Sequence, residues 1–344
     1  MYPSEKQHIV LAIDAMGGDR APHAVVAGIK RAADDDPDLR FVVYGCDEVE
    51  GLLNAQGLSD RERFRYVATL DVVANDDKPS VVVRKGRKSS MWQAVQAVKE
   101  GRADAVVSAG NTGALMAVAK LVLRALPGVD RPAIASLFPT LKGACVLLDL
   151  GANVVCDAEN LVQFAVMGDA FAKVALGCDE PRVALLNVGE EEAKGSDVVK
   201  TASEELRSGR FPINYIGYVE GDGIAEGKAD VIVADGFTGN VALKSAEGAG
   251  RICMHYVKTA FSSFPFGMLA GAIARPYLKR TFKRMDPRLH NGAMFIGLGG
   301  IAVKSHGGAD AVGYANALKV AASLARQDIN GKITKLLQAH DVDA

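Results

Sequence analysis

Short runs of Val, Ile and Leu without polar alternation recur along this chain, and longer stretches with helical spacing separate them. A strand that is apolar on both sides is covered on both sides, which is the signature of a parallel sheet between two helix layers. The spacing predicts strands at 9–14, 41–45, 65–69, 105–108, 133–138, 144–150, 183–188, 213–219, 231–234 and 294–298. Helices are predicted at 24–33, 91–100, 114–126, 160–176, 197–207, 241–262 and 310–330. The fold class that follows is α/β: three layers around a mostly parallel mixed sheet. The chain reads as one domain over 1–344, in which two lobes can face a central cleft.

Composition removes several function classes. With 40 Lys+Arg against 41 Asp+Glu the formal net charge is −1, so no global field draws the chain to nucleic acid. The five cysteines are scattered and contain no CxxC pair, which argues against a disulfide framework or a structural zinc site. The amino-terminal residues carry no signal-peptide layout, and no uncharged apolar run approaches the roughly 20 residues that cross a bilayer. A cytoplasmic protein is expected, with neither metal nor cofactor.

Glycines cluster where strands end. Asp14-Ala15-Met16-Gly17-Gly18 closes the first strand, and Gly110-Asn111-Thr112-Gly113 follows 105–108. Gly151-Ala152-Asn153 follows 144–150, and Asp235-Gly236-Phe237-Thr238-Gly239-Asn240 follows 231–234. Such exits gather unpaired backbone N–H groups at a helix start and let a ligand approach the backbone, which suits phosphate or a developing oxyanion. Ligands of open α/β sheets bind beyond the carboxyl ends of the strands, so one extended anion cleft is expected. Residues 104–113 and 230–239 share the pattern D-x-[VI]-V-x-x-G-x-T-G, as if two strand–turn–helix units faced that cleft. Candidate phosphate or substrate ligands are Asp14, Gly17, Gly18, Gly110, Thr112, Gly113, Asn153, Asp235, Thr238 and Gly239. Lys88 and Ser89 join them just before a helix, where a serine also reads as an N-cap.

No G-x-x-x-x-G-K-[ST] loop, G-x-G-x-x-G turn after the first strand, or G-x-S-x-G elbow occurs. Kinase, Rossmann dehydrogenase and serine hydrolase readings lose their support. If an acyl group is transferred, the second substrate is itself the nucleophile. Asn187-Val188-Gly189-Glu190-Glu191-Glu192-Ala193-Lys194-Gly195 places a lysine after three carboxylates at a strand exit. Lys194 there reads either as a phosphate cation oriented by a carboxylate or as part of a solvated loop. Lys304-Ser305-His306-Gly307 precedes another helix, and His306 reads as a proton-transfer group or as a structural hydrogen-bonder.

Residues 264–274 carry no charge, and Arg275-Pro276 is expected to interrupt any helix there. Beyond it Leu278, Thr281, Phe282 and Met285 share one helical face, opposite Lys279, Arg280, Lys283 and Arg284. An apolar and basic hairpin over 264–285 results, suited to an anionic bilayer through Phe266, Met268, Leu269, Leu278, Lys279, Arg280 and Phe282, or to a dimer interface.

Taken together, Ile13–Pro22, Ser108–Met116, Leu148–Asn153, Gly189–Gly195, Asp235–Val241 and Lys304–Gly307 resemble the bacterial PlsX family of phosphate acyltransferases over nearly the whole chain. The resemblance implies a fold like that of isocitrate dehydrogenases and phosphotransacetylases, in a homodimer. It also implies transfer of a fatty acyl group from acyl-acyl carrier protein to inorganic phosphate. A membrane glycerol-3-phosphate acyltransferase would use the acyl phosphate for phospholipid synthesis. One departure is local: many relatives carry Arg-Asp after Glu-Gly, where this chain has Glu220-Gly221-Asp222-Gly223. In such a reaction phosphate is held beside the thioester, Lys194 and loop amides bind it, and Asn240 or Asn111 stabilises the oxyanion. Alternatives are an acyl-CoA:phosphate acyltransferase, a dehydrogenase on the related fold, and a non-catalytic scaffold recruited to the membrane.

Overall fold

The computed structural model describes residues 8–262, 264–282 and 286–338. Its strands are β1 (Ile9–Asp14), β2 (Leu39–Gly45), β3 (Phe64–Ala68), β4 (Ala105–Ser108), β5 (Ala133–Thr140) and β6 (Gly143–Leu148). They continue as β7 (Arg182–Leu186), β8 (Asn214–Val219), β9 (Val231–Val233), β10 (Ala293–Ile296) and β11 (Ile301–Lys304). All eleven form one sheet in the order β3-β2-β1-β4-β11-β10-β5-β6-β9-β7-β8. Ten were expected from the apolar runs. The eleventh, β11, follows Gly299-Gly300, and so short a run after two glycines reads as loop.

The sheet consists of two parallel halves joined by antiparallel strands. β3, β2, β1, β4 and β11 run one way, and β6, β9, β7 and β8 run the other. The reversal is made by β10 and the β5–β6 hairpin, whose pairings are antiparallel. One apolar core lies on each face of the sheet, and each includes residues from both halves: Leu11, Val146 and Val183 in one, Ala12, Leu147 and Ala184 in the other. The helix Ala158–Ala175 is buried on most of its circumference and starts at a capping box, with Asp157 and Asn160 each accepting from the other's backbone N–H.

Helices Gly236–Ser262 and Phe264–Phe282 form a hairpin that is exposed along most of its length. The sequence placed the hairpin within 264–285. Instead, its first arm is the preceding helix, and the second runs through Arg275-Pro276 without a break. Proline normally costs about 3 kcal/mol in a helix interior because it removes a hydrogen bond to the carbonyl four residues back. Here that carbonyl belongs to Ala272, which is exposed and can turn to water. Gly271 lets the arms approach closely, since a Cβ there would stand 3.0 Å from the Cβ of Phe261. Among the described residues no helix is long and apolar enough to cross a membrane.

Candidate functional site

The two oppositely directed halves open their carboxyl ends in opposite directions. Asp14, Ser108 and Lys304 stand level with one another at the ends of β1, β4 and β11. Asp149 and Asp235 lie just beyond the ends of β6 and β9, which run the other way. The expected single cleft is therefore two clusters, on either side of β10 and β5. Sequence spacing could locate each strand exit but not the reversal of strand direction between them.

The first cluster is built around a buried carboxylate. Asp14 accepts hydrogen bonds from Ser90 Oγ and Ser108 Oγ, both at 2.6 Å, and from the Met16 backbone N–H. Burial pushes its carboxyl upward, against the pull of those bonds and of Lys304. Glycine at 17 is obligatory, because a Cβ would lie 2.5 Å from the Gly110 nitrogen and 2.7 Å from Asp14 Oδ2. Gly18 has φ +105° and brings the turn against Gly307, whose carbonyl accepts from the Asp19 N–H at 2.8 Å. Two Gly-rich exits and the 305–308 loop thus meet at one point.

Lys304 is the cation of this cluster. Its Nζ donates to the carbonyls of Ala109, at 3.1 Å, and Ser305. Desolvation lowers its pKa to about 8, although Asp14 and Asp19 pull the other way. A half-buried lysine next to glycine-lined backbone is suited to hold an anion. Sequence reasoning missed Lys304, together with Ser90 and Ser108, as site residues. The available signal was Lys304-Ser305-His306 preceding a helix, but it directed attention to the histidine. His306 is exposed, and its Nδ1 accepts from the Gly308 N–H at 3.1 Å, while no hydrogen bond among the described residues engages Nε2.

Several expected ligands hold the loops together. Asn111 caps Thr112–Leu123 through Oδ1, and its Nδ2 donates to the carbonyls of Asn75 and Asp77 at 2.8 and 3.0 Å. With both of its N–H groups committed, the side-chain amide has no donor left for an oxyanion. Ser89 caps Ser90–Lys99 and donates to the Gly86 carbonyl, while Lys88 is exposed. Thr112 and Gly113 are exposed in the first helical turn, and Gly110 N–H donates to Ser108 Oγ.

The second cluster is organised by Asp149, also missed, which is fully buried. Its carboxylate accepts from the backbone N–H groups of Ile134, Gly151, Ala152 and Asn153. Asn153 Nδ2 is spent on the Pro132 carbonyl and on Asp149. Asp235 accepts from Thr238 N–H and Oγ, pinning the start of the long helix. A Cβ at Gly239 would lie 2.0 Å from the Asp149 carbonyl oxygen, so the helix can pack there only as glycine. Asn240 is half-buried against Gly151, and no hydrogen bond among the described residues engages its side-chain amide. Lys194 lies exposed on the loop after β7, its Nζ 3.1 Å from Glu191. Glu190 and Glu192 are paired with Lys228 and Arg207, so each of the three carboxylates has its own cation. Beside Asp235 is a cavity of about 380 Å³ lined by Val154, Val155, Leu185, Val199, Val233 and Phe237.

On the hairpin, Phe266, Met268 and Leu269 are exposed, Leu278 is half-buried and Arg280 is exposed. The side chains of Lys279 and Phe282, and residues 283–285, lie outside the described residues. Among the described residues no group of three or more metal-ligating side chains comes together.

The family described as "Fatty acid synthesis protein" matches residues 9–332. A phosphate acyltransferase of Rhodospirillum rubrum is 51% identical over 94% of this chain and 93% of its own length. One from Paramagnetospirillum magneticum is 50% identical over 95% and 93%. A phosphotransacetylase from Streptococcus pyogenes superimposes with a TM-score of 0.64 over 93% of this chain and 94% of that one, at 18% identity. The last likeness is one of fold.

Proposed function

We propose, from the premise that this chain belongs to the phosphate acyltransferase family of fatty acid synthesis proteins, that it transfers a fatty acyl group from acyl-acyl carrier protein to inorganic phosphate. Membership makes it an acyltransferase. The identity of the donor, the phospholipid destination and the role of each residue are this proposal's own content.

One observation carries the reading: a desolvated lysine, Lys304, set among glycine-lined strand exits beside a buried aspartate. Below pH 8 its ammonium would hold phosphate, with the N–H groups of Gly17, Gly18 and Gly307, which donate to no other group among the described residues, completing the cradle. A phosphate oxygen attacks the thioester carbonyl, the C–O bond forms, and collapse of the tetrahedral intermediate breaks the C–S bond. The thiolate departs without a strong general acid, because a thiol pKa is about 8.5. Holding the two reactants side by side supplies much of the acceleration. Asp14, fixed by two serine hydroxyls, orients the cluster and compensates the half-buried ammonium.

A second assignment puts phosphate on Lys194 with Asn240 as oxyanion donor. It is favoured by the uncommitted Asn240 amide and by the apolar cavity nearby, which suits an acyl chain. Phosphate-dependent formation of acyl phosphate from palmitoyl-acyl carrier protein tests the function, and no product would refute it. The two assignments separate on which lysine, replaced by alanine, raises the KM for phosphate. Palmitoyl-CoA assayed in parallel distinguishes the CoA-dependent alternative. The exposed hairpin belongs to the same proposal, as the contact of a homodimer with an anionic membrane that delivers the product to a membrane acyltransferase. Co-sedimentation with phosphatidylglycerol vesicles, lost in Phe266→Ser/Leu269→Ser, is its check.

A further inference from the structure

Residues 70–90 form the rim of the Asp14 cluster. Ser90 donates to Asp14 at 2.6 Å, and its N–H donates to the Asp71 carbonyl, while Asp71 N–H donates to that of Lys88. Asn111 ties the carbonyls of Asn75 and Asp77 to the next strand exit, and Asn75 in turn donates to Asp19 at 2.9 Å. The rim is therefore fixed to the site at both ends.

Its charge is uneven: Asp71, Asp76 and Asp77 lie in its first part, and every charged residue from 78 on is a cation. Residues 78–90 contain Lys78, Arg84, Lys85, Arg87 and Lys88 and no acidic residue. All five are exposed, on the short helix Pro79–Lys85, the turn that follows it, and the residue before it. No ion pair among the described residues engages any of them, whereas Lys30, Arg61, Arg102, Arg131, Lys228 and Arg288 are all paired with carboxylates. Arg87 lies over the Trp92 ring, 6.0 Å from its centroid. The bridge between Asp71 and Ser89 sets Leu70 and Val72 beside this stretch, and Leu70 is 80% exposed. The nearby carboxylates are those of Asp71, Asp76 and Asp77 on the same segment and of Asp19 across from it; Asp77 is engaged by the Ala74 N–H and Asp19 by Asn75.

We infer that this rim is the docking surface for the protein part of the acyl donor, an acidic carrier whose carboxylates meet Arg84, Lys85 and Arg87 while an apolar side chain covers Leu70. The inference rests on the proposed function, because it gives the donor a protein component. Uncompensated cations at the rim of a site steer and orient an oppositely charged partner, and an exposed leucine among them supplies the apolar contact. Location favours the carrier over a membrane: the rim is held directly against the buried cluster where the thioester must arrive.

The test is steady-state kinetics of the whole chain with palmitoyl-acyl carrier protein and with palmitoyl-pantetheine, which lacks the protein. Arg84→Ala/Lys85→Ala/Arg87→Ala is expected to raise the KM for the carrier-bound donor by about tenfold and to flatten its salt dependence. Phosphate KM and turnover of the small donor stay unchanged, which also certifies the fold. Leu70→Ser, at an exposed position, moves the same KM in the same direction. An unchanged carrier KM and salt slope, or an equal loss with the small donor, overturns the inference. So does a variant that loses phosphatidylglycerol vesicle binding yet keeps its carrier KM, since the rim is then a lipid contact. If the wild-type chain makes no acyl phosphate from the carrier-bound donor, the proposed function itself fails; if it turns over both donors with the same KM, the dock fails.

Discussion

The two parallel halves of the sheet end in clusters built from similar sequence but different physics. In the first, charge is taken out of water: Asp14 is buried with its carboxyl raised, and Lys304 is lowered to about 8. In the second, the buried carboxylate of Asp149 is consumed by backbone N–H groups, and the lysine stays in solvent on Glu191. A group whose desolvation is only partly offset is poised to gain from an incoming anion, whereas a fully satisfied one stabilises a loop. The shared D-x-[VI]-V-x-x-G-x-T-G pattern therefore encodes a strand exit and does not by itself encode a site.

Lys304→Ala would sharpen this contrast most, lowering kcat/KM for phosphate by about 100- to 1000-fold, as loss of one preorganised charge-stabilising donor does. An effect of that size from Lys194→Ala, with Lys304→Ala mild, would invert the comparison. The next effect is on stability. Gly239→Ala should cost about 3 kcal/mol in urea unfolding, because its Cβ meets the Asp149 carbonyl, and Gly17→Ala somewhat less against the Gly110 nitrogen. Asn111→Ala should lose about 1 kcal/mol as a helix cap while the rate with saturating substrates is retained. Asn240→Ala should do the reverse if the second cluster binds the oxyanion.

The smallest effect expected is one of pH. The phosphate KM should climb above about pH 8 as Lys304 loses its proton, and Lys304→Arg should remove that rise. The effect on folding follows from the same shift. With the folded pKa below the ordinary lysine value, the unfolded chain binds more protons between the two, so this group's contribution to stability grows as pH rises from about 8 toward 10.5. Asp14 acts in the opposite direction. Its carboxyl is raised on folding, so its contribution declines as pH climbs from 3.8 through the folded value. Urea midpoints of wild type and Lys304→Ala across this range check the first trend.

Most of the strands were legible because burial on both faces writes itself into unbroken apolar runs. β11 was not, since four residues after two glycines carry too little pattern, and the lysine at its end went unassigned with it. The hairpin's composition was legible as apolar and basic, yet its geometry was misread at Pro276. The cost of a proline depends on whether the orphaned carbonyl can reach water, and spacing does not record that.

By itself the sequence determined the layered α/β class, the glycine-lined strand exits and, through its motifs, the family. These rest on local rules: period, turn chemistry and the absence of competing signatures. Only the tertiary structure decided that the two halves run in opposite directions, so that one expected cleft is two clusters. It also decided which polar residues are spent on the fold and which remain for a ligand. Asn111, Asn153 and Asp149 are spent, and Lys304 is left desolvated beside Asp14. That division depends on residues distant in sequence competing for the same hydrogen bonds, a competition settled only when the chain is packed.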